Sequence, residues 1–193
     1  MRMKMLAGAL VVGGVLAMSG VVGVAPAGAT TTQGYSCSAI DGVKPAVNAT
    51  VTAKATIDKT TKVISLTGVV FKLRNTFGVT ATIDDIRFYV NDPNSTSAPY
   101  VAGSAAAAGV PAGWAAGHDS SGLYVVYAGS QTFKSLATLT TAALSAGYSD
   151  LGPAKTAIKF TVGTITFDVT APVQAPVTCT PKTPEKVITQ VTE

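Results

Sequence analysis

His118-Asp119, followed by Ser120 and Ser121, puts a base, an acid and hydroxyls side by side in this chain. A hydrolytic triad, however, needs the imidazole held between nucleophile and orienting carboxylate, which adjacent residues in a glycine-rich loop seldom achieve. The Gly-x-Ser-x-Gly elbow is also missing. The cluster therefore reads as a solvated loop histidine, and no catalytic residue is assigned. One histidine and two cysteines are too few for a zinc site. Calcium needs only oxygens, which the pair Asp84-Asp85 and the alternation Asp92-x-Asn94-x-Thr96 supply. The second run lacks the Gly and the distal Glu of a hand-type loop, and Asp-Pro-Asn-Ser is equally a turn sequence. Asp92 and Asn94 stay as calcium candidates behind that turn reading, and no metal or cofactor is expected. Asp84, Asp85, Asp92 and Asp119 are also the acids that a paired-carboxylate hydrolase would have to use.

Aromatic rings offer a different chemistry. Trp114, Tyr100, Tyr124 and Tyr127 lie in or beside the Ala-, Gly-, Ser- and Pro-rich stretch 91–122, where exposed rings could stack on a sugar or enter a partner surface. Packing in the core is the competing reading. Trp114 and Tyr100 are the partner-binding candidates. Two glycosylation sequons, Asn48-Ala49-Thr50 and Asn94-Ser95-Thr96, are short enough to arise by chance.

The elements that must position these residues read as strands. Residues 30–193 hold 27 threonines among many Val and Ile, β-branched types that favour extended chain. Val47 to Ile57 alternates apolar and polar without a break, Asp58-Lys59-Thr60-Thr61 turns the chain, and Lys62 to Leu73 returns. Further strands are expected from Val79 to Val90, Leu123 to Ala128, Thr132 to Thr140, Ile158 to Val162, Thr164 to Thr170 and Pro176 to Thr180, with Gly163 as a bulge or tight bend. A short helix is expected around Thr141 to Ala146, ended by Gly147. Without βα alternation, the pattern predicts an all-β, antiparallel, immunoglobulin-like sandwich of eight or nine strands. The stretch 91–122 is expected as a long loop, and 182–193 as a flexible tail behind a domain spanning 30–181.

The N-terminus reads as an export signal. Arg2 and Lys4 precede the uncharged stretch Met5 to Val24, and Ala27 and Ala29 form a small-residue cleavage pattern. Removing residues 1–29 leaves 12 basic residues against 10 acidic ones, a thinly spread excess that argues against nucleic-acid binding. No transmembrane segment is expected after cleavage, and the product is expected outside the cell or at its wall. In that oxidising setting, Cys37 and Cys179 are expected to form one disulfide, contributing about 5 kcal/mol at most on the chain-entropy model.

Tyr35-Ser36-Cys37 at the start, Val177-Thr178-Cys179-Thr180-Pro181 near the end, and Ile165 to Val169 before it resemble a group of secreted actinobacterial β-sandwich proteins. That resemblance implies an exported, disulfide-closed sandwich and brings no catalytic residues. The sequence points to a non-catalytic binding or structural module of the envelope, with a wall polymer, a lipid or a protein as partner. The alternative is a carboxylate-dependent hydrolase acting on wall glycan.

Overall fold

The computed structural model describes residues 29–38, 46–93, 98–151 and 157–192. They form thirteen strands: β1 (Ala29–Cys37), β2 (Ala46–Asp58), β3 (Val63–Arg74), β4 (Ala81–Asn91), β5 (Ala106–Ala108), β6 (Trp114–Asp119), β7 (Gly122–Tyr127), β8 (Gln131–Phe133), β9 (Thr138–Thr140), β10 (Ala143–Ser149), β11 (Ala157–Ala171), β12 (Ala175–Pro181) and β13 (Val187–Thr192). All pairings are antiparallel, within one sheet ordered β5-β10-β3-β2-β1-β12-β11-β4-β7-β6. The terminal strands β5 and β6 approach each other without a ladder, so the sheet wraps into a nearly closed barrel. Among the described residues there is no helix, and so none long and apolar enough to cross a membrane.

The β2–β3 hairpin forms as its residue types dictate. Alternate residues Val47 to Ile57 are buried, and the facing strand buries Ile64, Leu66, Phe71 and Leu73. At the tip, the Asp58 carboxylate accepts the N–H groups of Thr60 and Thr61, which holds its carboxyl below the usual carboxylate range. Aromatic contacts join the two halves of the wall. Phe71 of β3 meets Phe88 of β4 at 5.1 Å, and Tyr148 of β10 meets Phe160 of β11 at 5.1 Å.

Cys37 and Cys179 sit opposite each other on β1 and β12 and are disulfide-bonded, closing a separation of 142 residues. The bond ties the opening strand to one late in the chain.

Several local expectations change. The segment 141–146 is not helical: β10 alternates partly buried and buried residues and lies between β3 and β5, so tertiary pairing overrides its Ala content. The stretch 91–122 is not one loop, because it contains β5 and β6. Thr132 to Thr140 divides into β8 and β9 at a turn where Leu136 adopts a φ of 62°. Gly163 interrupts no strand. It lies at a bulge within the continuous β11, where an added Cβ would come 2.7 Å from Cβ of Tyr89.

Residues 187–192, expected in a flexible tail, form β13 and pair with β11 where β12 has ended. Ile188 and Val191 are buried there. The buried Gln33 side chain holds the approach, donating to the Lys182 carbonyl and accepting from the Lys186 N–H.

Candidate functional site

Three places concentrate chemistry. The first is polar and lies at the unladdered seam of the barrel. His118 on β6 bonds through Nε2 to Asp92 Oδ2 at 2.6 Å, and the Tyr148 hydroxyl on β10 donates to Asp92 Oδ1 at 2.8 Å. Tyr100 stacks on the imidazole, with centroids 3.9 Å apart and an interplanar angle of 3°. Its own hydroxyl accepts the Ala105 N–H. Burial, reinforced by the Asp92 carboxylate, pushes the Tyr148 phenol well above its usual range.

This arrangement departs from the triad suggested by adjacency. Asp119 points elsewhere, accepting from the Tyr89 hydroxyl and from the Ser121 N–H. Asp92, 26 positions away in the chain, is the carboxylate that holds the imidazole. Both Asp92 oxygens already accept hydrogen bonds, and Asn94 lies outside the described residues. Trp114 is partly buried, with its ring against Phe88 at 6.0 Å and Tyr127 at 5.6 Å. The cluster ties β6 to the end of β4 and to β10, where no backbone ladder does so. The segment around Tyr100 is itself held to β10 by backbone bonds from Val101 N–H to the Gly147 carbonyl and from Ser149 N–H to the Pro99 carbonyl.

The second place is apolar. A cavity of about 210 Å³ opens at the end of the barrel where β1 ends and β4 begins. Phe77, Ile83, Phe133, Phe167, Val169 and Val177 supply most of its wall, and Ser38 is its single polar lining residue. Asn75 builds the mouth. Fully buried, it donates to the carbonyls of Val79, Phe133 and Lys134 and accepts the Phe77 N–H. One side chain thus fastens the β3–β4 turn to the β8–β9 turn and aims Phe77 at Phe167, 6.4 Å away.

A third feature is a polar groove on the outer wall, where Asp84 lies directly across from Asp168 and Asp85 adjoins. Oδ1 of Asp84 is buried with no hydrogen-bond partner among the described residues. No group of three or more His, Cys, Asp or Glu among the described residues is arranged to hold a metal ion.

The cavity was not visible in the sequence. Its lining comes from six separate segments between positions 38 and 177, and each residue alone reads as ordinary core. Val79 reads in the sequence as the start of a strand, and only the structure puts it in the bend before β4. Tyr100 and Asp92 were singled out separately; only folding brings them to one histidine. The chain matches no protein-family model, and neither a curated protein nor a solved structure matches it.

Proposed function

We propose that this chain is an exported, non-catalytic binding module of the cell envelope, and that it holds an apolar group in the cavity at the barrel mouth. The observation that carries the reading is the cavity itself, concave and lined by apolar side chains with one hydroxyl. Ligand sites have this character, and a volume below the usual 300–1,000 Å³ suits an acyl segment better than a whole drug-sized molecule. Of the partners expected from sequence, a lipid fits this lining better than a wall polymer, because a glycan needs donors and acceptors that the cavity lacks. Export, the resemblance to secreted actinobacterial proteins and an immunoglobulin-like form of the wrapped sheet belong to this same proposal. The disulfide supports the first of these, since such bonds persist in oxidising compartments.

The test is titration with a fluorescent fatty acid. Ala81 lines the cavity, and Ala81→Phe should fill it, weakening uptake at least about tenfold while the melting temperature holds. Equal uptake by Ala81→Phe, or none by the unmodified chain, would reject the cavity as the ligand seat.

A further inference from the structure

We propose that the cavity end of the barrel docks on an anionic lipid surface, with Leu136, Val79 and Val173 entering the acyl region; this rests on reading the cavity as a seat for an acyl group. Seven large hydrophobic side chains are exposed among the described residues, and three of them gather at this end: Leu136 at 62%, Val79 at 52% and Val173 at 51%. Val79 and Val173 line the cavity mouth. Leu136 sits beside them, since its N–H donates to the Asn75 carbonyl and Ser135 N–H donates to Oγ1 of Thr80.

Leu136 is unfavourable twice over where it stands. Its φ of 62° is left-handed, a conformation that Gly, Asn or Asp adopts more readily than leucine. Its side chain is also left in water. A residue that breaks both local rules at one exposed turn is explained by what the turn touches.

Charge around the apolar tips fits phosphate headgroups. Lys134 lies two residues before Leu136, and exposed Lys72 and Arg74 close β3 next to β9. The carboxylates of β4 and β11 line a groove on the outer wall that meets the cavity only at Val169. Apolar insertion with basic side chains at headgroup level is the pattern of interfacial membrane binding. A lipid held at the mouth could then pass an acyl chain into the cavity without crossing water.

The experiment is vesicle co-sedimentation of the chain from Thr30 to Glu193, which leaves out the apolar leader. Phosphatidylglycerol vesicles should retain it, and phosphatidylcholine vesicles should retain it less. Raising salt about tenfold should weaken the first interaction. Leu136→Asn should reduce retention at least about tenfold with an unchanged or higher melting temperature, because asparagine suits the left-handed turn. Lys134→Glu should cost about fivefold or more on phosphatidylglycerol and little on phosphatidylcholine. Failure of the unmodified chain to bind, or full binding by Leu136→Asn, overturns the docking surface. Fatty-acid uptake without vesicle binding overturns it while leaving the cavity reading in place; loss of both removes both. Self-association that Leu136→Asn abolishes, without vesicle binding, would assign the patch to a second copy and likewise overturn the proposal.

Discussion

Tyr35 carries its hydroxyl into the core, where it finds no hydrogen-bond partner among the described residues. Burial, with the charge of Glu185 behind it, pushes the phenol well above its usual range. An unpaired buried hydroxyl costs more than it contributes, so Tyr35→Phe should leave stability unchanged or raise it by about 1 kcal/mol in urea denaturation. Tyr148 differs, because its hydroxyl bonds to a carboxylate. Tyr148→Phe should cost about 1.5–3 kcal/mol, the range for hydrogen bonds to charged groups. The two phenols also set an alkaline limit. Both have folded-state values raised above the unfolded one, so their contribution is complete below about pH 10 and is lost as the pH climbs beyond it. Tyrosinate absorbance should therefore report fewer than the six tyrosines until the chain unfolds. Full titration while the fold persists would contradict the burial of Tyr35 and Tyr148.

Elements are decided by neighbours as much as by pattern. The long alternations of β2 and β3 were legible because one face of each meets the core and the other meets water. β10 was not, because a short Ala- and Ser-containing run has no strong preference until β3 and β5 flank it. β13 was missed because it is only six residues long, buries Ile188 and Val191 three positions apart instead of alternately, and follows two prolines. It closes the wall beside β11, and Thr189 Oγ1 accepts the Ala55 N–H of β2. Ending the chain after Pro184 should expose the β11 edge and remove buried Ile188 and Val191, lowering the urea midpoint sharply; a truly flexible tail would leave it unmoved. Gly163→Val tests the packing of β11 on β4. Its Cβ would meet Tyr89, and the expected loss is about 1–3 kcal/mol.

At the scale of the whole molecule, the barrel has a seam and a staple. The seam between β5 and β6 is bridged by Asp92, His118, Tyr100 and Tyr148 instead of by backbone pairing. The staple links β1 to β12 across 142 residues. On the chain-entropy model, reducing it should cost up to about 5 kcal/mol, read as a lower urea midpoint for Cys37→Ser/Cys179→Ser. An unchanged midpoint would mean that the reduced, unfolded chain already holds its ends together.

The sequence by itself determined the all-β class, the β2–β3 hairpin and the pairing of the only two cysteines. Each follows from local period, local turn chemistry or simple count. Only the tertiary structure decided that the strands wrap into one nearly closed sheet, that Asp92 and not Asp119 holds His118, and that turn residues near positions 77 and 173 surround one apolar mouth. The physical reason is sequence separation. An alternating strand reveals which face is buried, but its partner depends on contacts made across most of the chain, and a cavity exists only between them.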